Sequence, residues 1–415
     1  MHYLKRDDPL IAALVAKEEA RIEETLDLIA AENHCPRSIL EALGSILNTK
    51  TIEGYPGRRF HAGCEHVDDI ETIAIRRAKA LFGAQYANVQ PHSGTSANLA
   101  VYFSVLDVGD KILSMGLPSG GHLSHGHRAS ITGKCFEFTH YGVDPVTERI
   151  DYDEIEALAH KIKPRMIVAG ASSYPRLIDY EKIAAIAADV SAFSLADMAH
   201  LAGLVAGKVI PSPVPCCDFV TFTAYKTMMG GRGGVILARE AFGKKLDSAV
   251  FPGCQGTSAV NLIAAKAVIF KLAAEPWFAA IQEKTLDNAA ALAAALIDRQ
   301  YRIVSGGTDN HQVLVDLSSK GLKGSESEKR LESAGIILNR NVIPQDGATP
   351  GSVSGLRLGS AAITTRGMGD AQAVRIAELI DAALTPPWDA VALDSVRGQV
   401  RELCRQFPVY PPQDT

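Results

Sequence analysis

The stretch from Ser194 to Leu237 constrains the fold most strongly, because it places an acid, a histidine and a lysine after successive apolar runs. Asp197 ends one run, so it should lie at the carboxyl edge of a strand, where open α/β sheets bind ligands. His200 follows on the same loop. A second run, Phe219–Thr223, is rich in β-branched residues and leads to Lys226. The sequence therefore predicts that an acid and a lysine face one cleft.

A lysine and an aspartate at neighbouring strand ends suit pyridoxal phosphate. The amine links covalently to the cofactor, and the carboxylate keeps the ring nitrogen protonated so that the ring accepts electrons. The alternative is that Lys226 is a surface lysine and Asp197 a loop cap, which is the usual case for either residue taken singly. Spacing alone leaves both interpretations open.

Length and charge narrow the class of protein. A chain of 415 residues predicts two or three domains. A net charge of −5, with 21% charged residues, shows no basic stripe for nucleic acid and favours a small-molecule partner. No apolar run approaches the roughly 20 residues of a membrane span, and the N-terminus lacks the apolar core of a signal peptide. We therefore expect a soluble, cytoplasmic protein without a membrane partner.

Cysteines and histidines do not predict a disulfide or a metal. The seven cysteines contain no C-x-x-C pair, and Cys216 is adjacent to Cys217, which suits neither a disulfide nor one metal. His122, His125 and His127 are close in sequence, but no cysteine or carboxylate lies at ligand spacing beside them. We expect free thiols and no metal site.

Periodicity predicts an α/β fold with a mostly parallel central sheet flanked by helices, plus a smaller α+β C-terminal domain. Helical spacing from Pro9 to Ala30 indicates an N-terminal helical arm over residues 1–48. Strands and helices alternate over 49–275, and a long alanine-rich helix, Phe278–Asp298, opens the small domain, 276–415. The strand candidates of the large domain are Ala87–Gln90, Lys111–Met115, Arg165–Gly170, Ala192–Ala196 and Phe219–Thr223.

Residues Pro91–Asn98 join the first of these strands to a helix. Small hydroxyl residues and a glycine at a helix N-terminus offer backbone N–H groups and a positive dipole end to an anion. This is the phosphate site that the sequence favours. The alternative is an ordinary helix N-cap.

Five strings of residues together resemble serine hydroxymethyltransferase, a pyridoxal-phosphate enzyme of fold type I, the aspartate-aminotransferase fold, over nearly the whole chain. They occur in the family's order and are therefore specific. The strings are Glu53–Gly57, Val89–Gly94, Gly120–Leu123, Ala196–Leu204 and Ser305–His311.

The resemblance implies a role for each matching residue. Lys226 is expected to link to the cofactor, Asp197 to hold the pyridine nitrogen, and His122 to stack on the ring. The implied catalytic residues are Lys226, Glu53, His122, His200 and Tyr225. The implied cofactor-binding residues are Ser93, Gly94, Thr95, His122, Ser172, Asp197, His200, Lys226, Gly256 and Thr257.

The resemblance also implies a substrate site shared between subunits. Arg357 is expected to bind the substrate carboxylate, which suits its planar fork. Glu53 is expected to move a proton at the hydroxymethyl group or at folate. In the family it comes from the neighbouring subunit, as does the Phe251–Gly253 loop, so we expect a homodimer or a dimer of dimers. The implied substrate-binding set is Arg357, Ala31, Thr51, Glu53 and His61.

Departures from the family pattern concentrate around the substrate. Leu117, Leu123 and Asn341 match family positions that contact the pteridine of folate, but Phe60 stands where the family has a tyrosine, so tetrahydrofolate use stays open. The departures are Ala31 for serine, Thr51, Phe60 and His61 for tyrosines, Tyr225 for histidine and Thr257 for glycine.

Three functions are compatible with these residues. The first is a hydroxymethyltransferase that makes or breaks the Cα–Cβ bond of a serine-like amino acid, one α-substituted or larger than serine, with or without tetrahydrofolate as the one-carbon carrier. The second is a folate-independent β-hydroxy amino acid aldolase or transaldolase, or a racemase or transaminase. A non-catalytic binding subunit is disfavoured because Lys226, Asp197, His122 and Arg357 all remain.

Overall fold

A computed structural model describes residues 2–346 and 353–411. These residues form two compact units. The larger unit comprises Cys35–Glu283 and a short segment that begins at Ile343, and the smaller combines residues up to His34 with Lys284–Val342 and the described residues from 353 onward. The functional division into residues 1–48, 49–275 and 276–415 stays a prediction.

Helices and strands alternate along most of the chain. The helices are α1 His2–Asp7, α2 Pro9–Glu24, α3 Arg37–Leu43, α4 Glu65–Phe82, α5 Gly94–Val105, α6 Ile131–Cys135, α7 Tyr152–Ile162, α8 Tyr180–Asp189, α9 Ala202–Ala206, α10 Gly243–Ser248, α11 Val260–Leu272, α12 Pro276–Asp298, α13 Gly324–Ser333, α14 Ala361–Thr365, α15 Asp370–Leu384 and α16 Ala390–Gln406. The strands are β1 Leu26–Asp27, β2 Gly54–Tyr55, β3 Arg58–Arg59, β4 Tyr86–Asn88, β5 Lys111–Met115, β6 Glu137–Tyr141, β7 Met166–Gly170, β8 Phe193–Asp197, β9 Phe219–Thr223, β10 Gly234–Ala238, β11 Arg302–Ile303, β12 Gln312–Asp316, β13 Ile336–Ile337, β14 Asn339–Asn341 and β15 Gly355–Gly359.

The larger unit is built on a seven-stranded sheet in the order β4-β10-β9-β8-β7-β5-β6. Strands β6, β5, β7, β8 and β9 run parallel, and β10 runs antiparallel to both β9 and β4. Strands β7, β9 and β10 are buried along their whole length, which explains their nearly continuous apolar sequences. The predicted mostly parallel sheet is confirmed.

The smaller unit contains an antiparallel four-stranded sheet in the order β11-β12-β15-β14. Its apolar core draws on α12, α13, α15 and α16, including Leu296, Leu331, Ile380 and Val400. This arrangement confirms the predicted α+β character. Across the described residues, the structure shows no helix with both the length and the apolar character that crossing a membrane requires.

The N-terminal segment differs from its prediction. Helical spacing suggested a helix as far as Ala30, but α2 ends at Glu24 and the chain continues as strand β1, which pairs in parallel with β13. Leu26, Leu28 and Ala30 are buried alternately with less buried neighbours, which is the period of a strand. The sequence interpretation also missed β6 and β10. Strand β6 lies at the sheet edge and is mostly only half-buried, so its apolar pattern is weak.

One buried guanidinium closes two helix ends of the smaller unit. Arg366, directly after α14, donates hydrogen bonds to the carbonyl oxygens of Ile22 (3.3 Å), Glu23 (3.0 Å) and Thr25 (2.8 Å) at the end of α2. It also donates to Cys404 (3.1 Å) and Phe407 (2.7 Å) at the end of α16. The last carbonyl groups of a helix have no hydrogen-bond partner within the helix. A cation at that end is also attracted by the negative end of the helix dipole.

We predict that Arg366→Met lowers the free energy of unfolding by about 3 kcal/mol or more, because several buried carbonyls lose their donor. Arg375→Met is the matched control, because exposed Arg375 pairs with Glu378 on the surface of α15 and its loss should cost under about 0.5 kcal/mol. Urea denaturation followed by circular dichroism measures both. Equal losses in the two variants would contradict the capping role of Arg366.

Candidate active site

A cavity of about 90 Å³ lies in the larger unit at the carboxyl ends of β7, β8 and β9. It is the position that parallel sheets use for ligands. The structure places most of the predicted cofactor residues in this one cavity, although their individual roles stay predictions. Its lining consists of Ser93, Gly94, Thr95, His122, Ala171, Ser172, Asp197, Ala199, His200, Thr223, Tyr225 and Lys226.

Asp197, at the end of β8, is the acidic residue of the described cavity lining, and it makes several hydrogen bonds. Its Oδ2 accepts hydrogen bonds from Asn98 Nδ2 (2.8 Å) and His125 Nε2 (2.9 Å), and its Oδ1 accepts from the backbone N–H of Ala199 (3.1 Å). Asn98 is itself oriented by Thr221, whose hydroxyl donates to Asn98 Oδ1 at 2.6 Å. The carboxylate therefore has a fixed orientation.

The environment of Asp197 keeps it ionised. Burial by itself raises the pKa of this carboxyl, but the hydrogen bond and electrostatic interaction with His125, with smaller contributions from His122 and Asn98, outweigh it. The net result is a pKa well below the usual range. A permanently negative carboxylate in a buried cleft is suited to bind a protonated ring nitrogen.

His122 lines the cavity on the opposite side of this network from Asn98. Its Nδ1 lies 2.7 Å from Ser124 Oγ, and Ser124 Oγ also accepts a hydrogen bond from Asn98 Nδ2 (2.9 Å). Burial lowers the pKa of the His122 imidazole to about 4, while Asp197 acts in the opposite direction. The ring is therefore neutral at pH 7, and a neutral flat ring suits stacking on an aromatic cofactor.

His122 and His125 have a carboxylate neighbour that is distant in sequence. No carboxylate lies at ligand spacing beside them in the chain, but the fold brings an oxygen of Asp197 within 4.8 Å of a ring nitrogen of each. In the described structure, the carboxylate and His125 already bond each other directly. His127 points elsewhere, with its Nδ1 accepting from the backbone of Ala129. The lack of a metal stays a prediction.

The loop before α5 is compatible with both interpretations of its sequence, an ordinary helix N-cap and an anion-binding site. Ser93 is the N-cap of α5, because its hydroxyl accepts from the backbone N–H of Ser96 (3.1 Å) while Ser96 Oγ accepts from the N–H of Ser93 (2.8 Å). The remaining N–H groups of a first helical turn have no partner within the helix and face outward with the positive dipole end. Gly94 lies so close to Thr223 that a Cβ would meet its methyl group at 2.7 Å. An N-cap and an anion site can therefore coincide here.

The loop after β9 holds Lys226 beside this site. Thr227, the next residue, donates its hydroxyl hydrogen to the carbonyl oxygen of His200 (2.8 Å) and accepts from the backbone N–H of Gly203 (3.0 Å). Lys226 is itself buried. On the other side, the guanidinium of Arg232 lies 4.7 Å from the ring centroid of Tyr225. The hydrogen bonds of Thr227 thus connect the loop after β9 to the chain that follows β8.

Sequence reasoning missed four residues of this network: Asn98, Ser124, His125 and Thr221. Asn98 had a visible signal, because it is a polar residue among alanines and valines of α5 and is buried. A buried side-chain amide requires partners. His125 and Thr221 gave no comparable signal, since only the folded chain brings them to Asp197.

A second group of predicted residues lies on the loop around hairpin β2–β3. Glu53 and Thr51 precede the hairpin, and the backbone N–H of Phe60 donates to the Glu53 carbonyl at 3.0 Å. Thr51, Glu53, Phe60 and His61 are absent from the lining formed by the described residues of the same chain, and so are Gly256 and Thr257. The segment that holds Thr257 instead packs on residues 90–92, where His92 Nε2 lies 3.0 Å from the Thr257 carbonyl oxygen.

The remaining predicted residues divide between the two units. In the larger unit Leu117 and Leu123 are exposed. In the smaller unit Arg357 lies on β15, where its Nε donates to Asn339 Oδ1 at 3.2 Å and burial lowers the pKa of the guanidinium to about 10. Asn341 ends β14, the neighbouring strand. Ala31 follows Ala30, which packs so closely on β15 that a Cβ on Gly359 would meet its Cα at 2.4 Å.

Comparison with known proteins identifies the family. The family model described as serine hydroxymethyltransferase matches residues 4–380. The chain belongs to the serine hydroxymethyltransferase family. The serine hydroxymethyltransferase of Desulforapulum autotrophicum is 49% identical over 412 residues, covering 99% of this chain and 98% of that protein. The serine hydroxymethyltransferase of Cyanothece sp. is 48% identical over 412 residues, covering 99% of this chain and 97% of that protein.

Membership of the serine hydroxymethyltransferase family confirms the resemblance and the fold type I assignment. The chain is a pyridoxal-phosphate-dependent hydroxymethyltransferase, and enzymes of this family use tetrahydrofolate as the carrier of the one-carbon unit. The cavity fits the cofactor chemically. It presents an ionised buried carboxylate for a ring nitrogen, a helix N-terminus with hydroxyl groups for a phosphate, and a lysine amine.

We predict that Asp197→Asn lowers kcat/KM by several orders of magnitude, because a neutral amide cannot keep the ring nitrogen protonated. Steady-state kinetics at saturating cofactor measures the loss. Asp189→Asn, at an exposed acid paired with His160, is the control and should retain wild-type kinetics. Unchanged catalysis in a folded Asp197→Asn variant would contradict the role assigned to the carboxylate.

Proposed function

We propose that this enzyme makes or breaks the Cα–Cβ bond of a β-hydroxy-α-amino acid that is α-substituted or larger than serine. The single observation that carries this proposal is the concentration of departures from the family pattern at the substrate. Thr51 and Ala31 stand where the family has a tyrosine and a serine, whereas Lys226, Asp197 and Arg357 are retained. The residues that the chemistry requires are kept, whereas residues expected to contact the substrate are changed.

Pyridoxal phosphate, when bound, supplies an electron sink for the bond that breaks. The residues of the chain then orient the substrate and transfer its protons. Arg357 binds the substrate carboxylate through its planar fork and so orients the reacting bond. Asp197 would hold the ring nitrogen of the cofactor, and the neutral His122 would lie against its ring. Glu53 accepts the proton of the substrate hydroxyl when the bond breaks, and returns it in the reverse direction.

The two substitutions act in the same direction. Threonine is much smaller than tyrosine, so Thr51 leaves space in which an α-substituent or a longer side chain can bind. Ala31 lacks the hydroxyl that donates to the carboxylate in the family, and such a hydrogen bond contributes about 1 kcal/mol. A small amino acid therefore loses affinity, while a larger one regains it through apolar contact.

A folate-independent aldolase or transaldolase is the second candidate, ahead of a racemase or transaminase. Phe60 and His61 replace the two tyrosines that lie beside the pteridine in the family, and the Phe60 side chain is 75% exposed in the single chain. Leu117, Leu123 and Asn341 nevertheless match the family pattern. Turnover with and without tetrahydrofolate separates the two candidates.

We predict that the wild-type enzyme turns over α-methylserine or a larger β-hydroxy amino acid with higher kcat/KM than serine. The double variant Ala31→Ser with Thr51→Tyr should shift preference back toward serine, because it restores the hydroxyl and fills the space. Competition assays that pair serine with each analogue, with and without tetrahydrofolate, measure the ratio directly.

Lys226→Ala provides the inactive control for these assays. A matched surface variant, Thr49→Tyr, adds a ring near the same segment and should leave the ratio unchanged, since Thr49 is exposed. If the wild type prefers serine with tetrahydrofolate over every larger analogue, the substitutions are neutral variation, and the substrate proposal fails while the family assignment stands.

The site is further proposed to be shared between subunits of a homodimer or dimer of dimers. In support, Phe60 projects into solvent and packs on Phe251, with ring centroids 5.7 Å apart. An exposed aromatic ring packed on a half-buried one, on the two loops that the family uses across its interface, favours a protein contact. Glu53, on the first of these loops, would then serve the partner's Lys226.

We predict that mixing Lys226→Ala and Glu53→Gln chains restores roughly a quarter of wild-type activity, although each variant alone is inactive. Random exchange makes about half of the dimers hybrids, and each hybrid has one intact site of two. The measurement is activity after joint refolding of equal amounts. If each site uses Glu53 and Lys226 of one chain, the mixture stays inactive.

A further inference from the structure

A lysine outside the cavity is the most completely buried cation of the larger unit's described residues. Lys266, on α11, has only 1% of its surface exposed. Its ammonium group donates to the carbonyl oxygens of Val89 (2.5 Å), Gly234 (3.0 Å) and Pro91 (3.3 Å). Three acceptors match the three donors of an ammonium group. A buried charge this well satisfied has a specific structural task.

The three carbonyls identify that task. Val89 and Pro91 end the segment that leads directly into Ser93 and the first turn of α5, which is the phosphate end of the cavity. Gly234 begins β10 on the other side, and a Cβ there would meet the Ser93 carbonyl oxygen at 2.2 Å. The ammonium group therefore ties the entry of α5 to the start of β10, where the two backbones lie close together.

Gln90, between these two carbonyl groups, is held from other directions. Its side-chain amide donates to Glu71 Oε1 (2.8 Å) and to the Gly54 carbonyl oxygen (3.0 Å). Its own carbonyl oxygen accepts from Ser258 Oγ (2.6 Å). With Lys266 on the flanking carbonyls, successive carbonyl groups before α5 accept hydrogen bonds from side chains, and the Pro91 carbonyl oxygen also accepts from the backbone N–H of Gly234 (2.9 Å).

Burial and the protein charges act on Lys266 in opposite directions. Burial lowers the pKa of its ammonium group to about 7, and the negative charge of Glu71 raises it. Glu71 is in turn paired with Arg59 Nη2 at 2.5 Å. Burying the ammonium group therefore costs solvation free energy, a cost that a hydrophobic side chain of similar length would avoid.

We propose that Lys266 is a positioning residue for cofactor binding, which holds the first turn of α5 in the geometry that binds the phosphate of pyridoxal phosphate. A helix N-terminus binds an anion only when its N–H groups point at the anion, so a small shift of residues 91–95 weakens the site. The proposal depends on the cofactor of the family and is independent of which amino acid is the substrate.

The test compares two ligands that differ only in the phosphate. Full-length chain is freed of cofactor, and the Kd values of pyridoxal phosphate and of pyridoxal are measured by absorbance titration. Lys266→Met should raise the Kd of pyridoxal phosphate about tenfold or more and change that of pyridoxal by less than about twofold. Lys271→Met, at an exposed lysine on the same helix, is the control and should match the wild type for both ligands.

Lys266→Gln gives a second measurement if the methionine variant does not fold, because glutamine keeps some hydrogen bonds to the carbonyls. It should raise the Kd of pyridoxal phosphate less than methionine does. Equal losses for pyridoxal phosphate and pyridoxal, or an unchanged Kd in a folded variant, would overturn the proposal. Failure of both variants to fold would also overturn it, because Lys266 would then support the core rather than the phosphate loop.

Discussion

A buried negative charge at the end of β8 is the constraint on which the site depends. Asp197 remains ionised only because His125, Asn98 and a backbone N–H compensate for the water that it has lost. An uncompensated carboxylate in this position would be neutral or would destabilise the sheet. The hydrogen-bond partners of Asp197 can reach it only if β9 and α5 pack closely on β8. The ionisation of Asp197 therefore depends on the packing of the sheet.

Each unit also contains a buried cation that bonds backbone carbonyl oxygens. In the smaller unit, Arg366 donates hydrogen bonds to the last carbonyl oxygens of α2 and α16. In the larger unit, Lys266 donates to carbonyl oxygens beside the loop that precedes α5. A cation with several donors can bond carbonyl oxygens of several backbone segments at once. The rigid fork of arginine suits two helix ends, whereas the compact ammonium of lysine fits a narrow space between strands.

The predicted cofactor residues and the predicted substrate residues lie in different surroundings. Lys226, Asp197 and His122 line one cavity and keep the family pattern, and each depends on partners that would have to change with it. Thr51, Phe60 and His61 lie on an exposed loop outside that lining, where a substitution disturbs fewer neighbours. A loop of this kind can alter substrate choice without disturbing the buried charges.

The sequence by itself determined the class of fold and predicted most of the residues that line the cavity. Apolar runs ended by Asp197 and followed by Lys226 are local signals, and the extents of β5 and β9 were predicted to the residue. The structure alone decided what surrounds these residues. Thr221 and His125 are far from Asn98 along the chain, and no local pattern marks a hydrogen bond that only sheet order creates. The end of α2 was also decided by tertiary structure, because pairing of β1 with β13 outweighed the helical spacing.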